Sequence, residues 1–267
     1  MKSLRNRPIG IFDSGVGGLT VARNVRKYLP KEDMIYFGDT ARVPYGNKSR
    51  PTIIRFSREI MGFMMKKRVK MVIVACNTAS SLSLSSLKRD YPIPVVGVIK
   101  PGVKEAIGIS RNKRIGVIGT SSTISSGAYQ KELEEDDHAC RVFTQSCPLF
   151  VPLVENRNFS DSFTRQIAEA YLKEMETKRV DTLILGCTHY PLLKRVIGEV
   201  LNDVRLIDSS IAMAKDVKDT LVRKKLRADD KKGRATTEYY VSDDPEGFCR
   251  SAGIFLRERI KAKKVTL

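Results

Sequence analysis

Cys76 and Cys187 are the residues best placed to do chemistry, because each ends an apolar run and opens a polar one. Met71-Val72-Ile73-Val74-Ala75 leads into Cys76-Asn77-Thr78, and Thr182-Leu183-Ile184-Leu185-Gly186 leads into Cys187-Thr188-His189, the cysteines standing 111 residues apart. A second echo accompanies the first: Ile9-Gly10-Ile11-Phe12-Asp13-Ser14 is matched 106 residues on by Ile115-Gly116-Val117-Ile118-Gly119-Thr120. Apolar strands resemble one another by chance, but here the polar residues that follow them agree as well. In open parallel sheets ligands gather outside the carboxyl ends of the strands, where both motifs end. Asn77, Thr78 and Ser80 can cap a helix whose free N–H groups attract negative charge. A helix N-terminus lowers the pKa of a thiol, so both cysteines are expected to be thiolates near neutral pH. A single cysteine at a strand end is commonly inert core; a matched pair beside matched polar residues is not explained that way.

Two facing thiols suit racemisation. Taking the Cα proton of a chiral acid from one face and returning a proton to the other needs an acid/base group on each side. One is thiolate and the other thiol, and they exchange roles when the reaction reverses. Partial desolvation strengthens a thiolate base, and donors aimed at the substrate carboxylate stabilise the developing carbanion. The loop Asp13-Ser14-Gly15-Val16-Gly17-Gly18 offers N–H groups and a hydroxyl to a small anion. It lacks the G-x-G-x-x-G spacing of a dinucleotide site, and Asp13 would repel a pyrophosphate. Asp13 suits a substrate ammonium group or the orientation of the acid/base machinery, its plain alternative being the N-cap of the next helix.

Short Val- and Ile-rich runs alternate with stretches of helical period, which predicts an α/β protein with buried parallel strands. Strands are expected over 9–12, 34–37, 71–75, 94–98, 114–118, 141–144, 182–186 and 204–207. Leu19, Ala22, Val25 and Leu29, like Ile53, Phe56, Ile60 and Met64, recur at helical spacing. The duplication predicts two pseudo-symmetric parallel-sheet α/β domains facing each other across an active-site cleft. Their boundary is expected near Val98 to Gly102, where the strand over 94–98 runs into Lys100-Pro101-Gly102. The part after Asp208 has two helical patterns and a strand-like run over 236–242, and fits either half. The basic stretches 223–227 and 231–234 read as a helix end and an exposed loop.

A chain of 267 residues, 42% apolar, is enough for one large core or two domains. The net charge of +18 admits nucleic acid, an anionic membrane surface or small acidic substrates as partners. The basic residues are scattered and no nucleic-acid motif occurs, so a nucleic-acid or protein contact through this charge stays open without a motif to support it. Five cysteines, at 76, 140, 147, 187 and 249 with no Cys-x-x-Cys pair, fit free thiols in a reducing cytosol better than a disulfide framework or a zinc ribbon. The basic N-terminus runs into Pro8 without an apolar stretch, and no window approaches the roughly 18 apolar residues of a membrane span. The expectation is a soluble cytoplasmic protein with no membrane partner.

The runs I-F-D-S-G-V-G-G-L-T-V (11–21), D-T-A-R-V-P-Y-G (39–46), A-C-N-T-A-S (75–80), C-P-L-F-V-P-L-V-E (147–155) and G-C-T-H-Y-P-L-L (186–193) closely resemble the bacterial glutamate racemases. The resemblance extends from residue 9 to about residue 212. It implies an enzyme without cofactor or metal that interconverts L- and D-glutamate and supplies D-glutamate for peptidoglycan, hence for cell-wall biogenesis and cell shape. It also implies a homodimer, and two domains: 1–98 completed by 209–267, and 99–208. Carried over by position, Cys76 is the base toward D-glutamate and Cys187 the base toward L-glutamate. Asp13 and His189 assist the two thiols, with Glu155 near His189. Asp13, Ser14, Tyr45, Gly46, Asn77, Thr78, Thr188 and His189 are implied to hold substrate, with Thr120 and Thr123 as weaker candidates. Lys100 stands where the family commonly has an acidic residue, a departure that concerns the domain junction rather than the thiols.

Two other chemistries stay in view beside a racemase of a related acid such as aspartate. A cysteine hydrolase would need His138 or His189, the two histidines of the chain, and leaves the second strand-end cysteine unexplained. A zinc site at Cys187 and His189, or at His138 and Cys140, matches no usual ligand spacing.

Overall fold

The computed structural model describes residues 3–159, 161–229 and 235–267, so the basic stretch 231–234 lies outside the described residues. Its strands are β1 (Ile9–Asp13), β2 (Met34–Gly38), β3 (Met71–Val74), β4 (Val95–Gly97), β5 (Arg114–Gly119), β6 (Arg141–Ser146), β7 (Thr182–Gly186), β8 (Arg205–Ile207), β9 (Thr237–Val241) and β10 (Ala262–Lys264). They form two sheets, ordered β10-β9-β2-β1-β3-β4 and β6-β5-β7-β8. Every pairing is parallel. Helices cover the faces of such sheets, which is why β1, β2, β3 and β7 are buried along their whole length and read as unbroken apolar runs.

The duplication is visible in this topology: β2-β1-β3-β4 and β6-β5-β7-β8 have the same order, with β1 matching β5 and β3 matching β7. Register then places the functional loops. Phe12 pairs with Val74, so Asp13 and Ser14 leave the sheet beside Cys76. Gly119 pairs with Gly186, so Thr120 leaves its sheet beside Cys187.

The eight expected strands are present with shifts of at most two residues at their ends. Lys100-Pro101-Gly102, at the expected boundary, lies in the first turn of the helix Ile99–Ile109, where the missing N–H of Pro101 costs no hydrogen bond. Gly102 lets this helix close on Ser209, whose Oγ would lie 2.6 Å from a Cβ added there. Lys100 pairs with Glu132 at 2.6 Å and Asp136 at 3.8 Å, both on the helix Ala128–Asp136. The C-terminal segment adds β9 and β10 to the edge of the first sheet beyond β2. Strand β10 is Ala-Lys-Lys, without apolar pattern, and is held by backbone pairing to β9.

At the amino ends of the strands, opposite the site, Lys70 and Glu32 form a buried ion pair. Lys70 Nζ also donates to the Arg5 carbonyl at 2.6 Å, and Glu32 accepts the Ala228 N–H at 2.8 Å. One pair thus ties the N-terminal turn, two strand starts and the chain after helix Ser209–Arg223. Among the described residues no helix is long and apolar enough to cross a membrane.

Candidate active site

The carboxyl ends of β1, β3, β5 and β7 converge on a cavity of about 300 Å³, a volume suited to a small ligand. From the first sheet Ser14, Tyr45, Gly46, Cys76, Asn77 and Thr78 line it; from the second come Thr120, Glu155, Cys187, Thr188 and His189. Asp13 and Thr123 are buried behind the wall and do not line it. The two strand-end thiols therefore share one chamber, contributed by both halves of the duplication.

The thiols differ in their surroundings. Cys76 caps the helix Asn77–Asp90, its Sγ accepting the Ala79 N–H at 3.5 Å. Burial, and then the negative charge of Asp13, push this thiol up to about 12, against the favourable Ala79 N–H and Ser14 hydroxyl. The expectation of a Cys76 thiolate at neutral pH is thus overturned: desolvation and a like charge outweigh one helix terminus. Cys187 is not at an α-helix N-terminus. A 3-10 turn, Tyr190–Leu193, follows it, and the α-helix begins only at Lys194. Its partner is His189, whose Nδ1 lies 3.8 Å from the sulfur.

His189 is buried beneath Phe255, which meets its ring edge-on. Burial opposes its charge, yet Cys187, Glu155 and Asp13 together outweigh that and push the imidazole up to about 10. Glu155 Oε1 lies 3.3 Å from Nε2, an ion-pair contact without the alignment of a full hydrogen bond. Asp13 is not the N-cap of helix Leu19–Tyr28, a place Gly18 takes. Its Oδ2 accepts the Gly15 N–H at 3.0 Å. Burial raises its pKa, offset in part by His189 and the loop N–H groups.

Other expected residues have partners of their own. The Tyr45 hydroxyl is bonded to the buried carboxylate of Asp39, which also accepts from Arg42 Nε at 2.7 Å and Ser242 Oγ at 2.8 Å. Asp39 thereby anchors the Tyr45-Gly46 turn, a duty its place in the D-T-A-R-V-P-Y-G run does not reveal. The Thr78 hydroxyl lies 2.9 Å from that of Thr120 and 3.1 Å from that of Thr123, joining the halves above Cys76. Two glycines permit the approach of the halves. A Cβ on Gly17 would lie 2.3 Å from Thr188 Oγ1, and one on Gly46 would lie 2.7 Å from Thr120 Cβ. Pro148, Val151 and Pro152 add an apolar wall that the sequence showed only as part of a motif. Among the described residues no group of three or more His, Cys, Asp or Glu side chains could hold a metal ion.

Two parallel sheets of matching order, with a cysteine after equivalent strands and a shared cavity, define a duplicated α/β protein whose site is built twice. The chain belongs to the Asp/Glu/Hydantoin racemase family, whose signature matches residues 15–217. It is 49% identical over 255 residues to the glutamate racemase of Aquifex aeolicus, covering 96% of each chain. The crystal structure of Francisella tularensis glutamate racemase in complex with D-glutamate is similar over 98% of each chain, with 38% identity and a TM-score of 0.92. Picrophilus torridus aspartate racemase shares the fold, at 17% identity and a TM-score of 0.59 over 80% of this chain.

Proposed function

We propose that this chain interconverts L- and D-glutamate by proton transfer between two thiols, without a cofactor. The observation that carries the reading is that Cys76 and Cys187 line one cavity from opposite halves. In this reading the substrate lies between them, its carboxylates held by Asn77, Thr78 and Thr188 and by backbone N–H groups at Ser14 and at the Tyr45-Gly46 turn. The Tyr45 hydroxyl, already bonded to Asp39, takes no part. Cys187 as thiolate takes the Cα proton of L-glutamate, the electron pair moves into the carboxylate, and the Cys76 thiol gives its proton to the opposite face. D-glutamate reacts by the reverse sequence, with Cys76 as base. The burial that keeps Cys76 protonated suits it to be the donor in the free enzyme. His189, charged at neutral pH and backed by Glu155, is the partner of Cys187. Asp13 acts from behind the wall, through its charge on Cys76.

The same reading takes 1–98 with 209–267 as one domain and 99–208 as the other. It is supported by β9 and β10 extending the first sheet. A homodimer in the cytoplasm, supplying D-glutamate for peptidoglycan and so for cell shape, completes the proposal; light scattering of the purified chain tests the dimer.

Circular dichroism of L- and D-glutamate in D₂O tests the chemistry, with aspartate run in parallel. Optical activity should decay from both glutamate enantiomers with deuterium entering Cα. Cys76→Ala and Cys187→Ala should each abolish racemisation, with any remaining exchange confined to L-glutamate for the first and D-glutamate for the second. Constant ellipticity for glutamate with decay for aspartate would transfer the mechanism to the shorter acid.

A further inference from the structure

Tyr129 is a buried polar residue that the proton-transfer scheme does not use. It lies in the helix Ala128–Asp136, in the half that carries Cys187, and is 1% exposed. Its hydroxyl reaches across to the other half and donates to Asn77 Oδ1 at 2.6 Å. A phenol in such a place is a neutral donor, since burial raises it far above its ordinary pKa. The other polar group beside it, the Ser209 hydroxyl, acts on the phenol oxygen as a donor and not as an acceptor of its proton. Asn77 Oδ1 is therefore the acceptor for the Tyr129 proton.

This bond settles which way the Asn77 carboxamide faces. An amide has an acceptor end and a donor end, and a rotation of 180° about its last bond exchanges them at little steric cost. With Oδ1 committed to Tyr129, the NH₂ group is the end left over. It has no acceptor among the described residues and is not among the sealed polar atoms, while Asn77 lines the cavity beside Cys76. The reversed rotamer would turn a carbonyl oxygen toward an anionic substrate.

Resting on the reading of Asn77 as a substrate donor, we infer that Tyr129 is a positioning residue that holds the Asn77 carboxamide with its NH₂ toward the substrate carboxylate. The bond crosses from one half to the other, so the donor is correctly oriented only when the halves are docked. The Thr78 contacts with Thr120 and Thr123 have the same cross-cleft character but fix a hydroxyl, which can rotate to suit any ligand.

A double-mutant cycle on kcat/KM for glutamate tests this, using Tyr129→Phe, Asn77→Ala and the double variant, with melting temperatures measured beside the kinetics. Tyr129→Phe is expected to raise KM by about fivefold to tenfold with kcat changed less than about twofold, the pattern of lost uniform binding. In the Asn77→Ala background the same change is expected to cost nothing further. Equal effects of Tyr129→Phe in both backgrounds, following its melting temperature, would show a packing role and overturn the proposal. No effect of Asn77→Ala on KM would overturn the reading of Asn77 itself, and with it the role of Tyr129. Should Phe leave a void that unfolds the chain, 4-fluorophenylalanine at position 129 fills the volume without a donor. The same rise in KM is expected there, and a wild-type KM would overturn the proposal.

Discussion

Cys187 Sγ lies 3.8 Å from His189 Nδ1, while its counterpart Cys76 meets the Ala79 N–H and the charge of buried Asp13. A site duplicated in topology is therefore asymmetric in chemistry: one thiol has a cationic partner and the other an anionic neighbour. Mirror-image substrates have equal free energies, so kcat/KM must be equal in the two directions whatever this asymmetry. It is free to appear only in kcat and KM separately.

Glu155 is the outer support of the His189 charge. Glu155→Gln should lower the His189 pKa from its value of about 10 and move the alkaline fall of kcat/KM to lower pH, identically for L- and D-glutamate. Parallel pH–rate profiles of both enantiomers check this; an unmoved alkaline limb would remove Glu155 from the scheme.

His189 also makes stability depend on pH. Its folded pKa of about 10 exceeds the ordinary 6.5, so its stabilising contribution is full below pH 6.5 and lost as pH rises toward about 10. Cys76, raised from 9 to about 12, adds a loss over that higher window. Melting temperature should fall through both ranges, and in Glu155→Gln the first part of the fall should be smaller and should end at lower pH.

The same shift predicts the reactivity of Cys76. Peptide-resolved alkylation by iodoacetamide should still accelerate about tenfold per pH unit between about pH 8 and 11, because the thiolate is the nucleophile. Asp13→Asn should bring its plateau to lower pH by removing the like charge. A plateau of the wild-type rate below about pH 10 would contradict the burial argument.

Gly17 is the point at which the first loop touches Thr188 and His189. Gly17→Ala should lower kcat/KM by about a hundredfold or more, the scale of an ångström of misplacement, since its Cβ would lie 2.3 Å from Thr188 Oγ1. Gly108→Ala in helix Ile99–Ile109 is the control, because nothing lies within 4 Å of the added carbon. Equal activity of the two variants would show that the loops separate freely.

Far from the cavity, Lys70→Met should destabilise the fold by about 3–5 kcal/mol, because it strands the Glu32 charge in the interior. Adding Glu32→Leu should recover much of the loss. Urea unfolding of the three proteins measures both steps, and an additive double variant would argue against the pairing.

Much of the architecture was legible in the sequence because buried parallel strands are written as continuous apolar runs. The matched polar residues after β1 and β5, and after β3 and β7, revealed the duplication and singled out Cys76 and Cys187. Strand β10 was not legible, since Ala-Lys-Lys carries no apolar pattern and is held by backbone pairing. Residues 100–102 read as a junction because Pro and Gly punctuate a chain. Pro is equally at home in the first turn of a helix, and Gly102 serves close packing on Ser209.

By itself the sequence determined the residue types, their order and the strand ends on which they sit, because periodicity and turn chemistry are local. Tertiary structure alone decided the electrostatics and orientation of those residues. The Cys76 thiol is set by burial and by Asp13, 63 positions away; the Tyr45 hydroxyl is engaged by Asp39; the Asn77 amide is oriented by Tyr129 from the other half. Desolvation and hydrogen bonding depend on what surrounds a group in three dimensions, and those neighbours are distant in the chain.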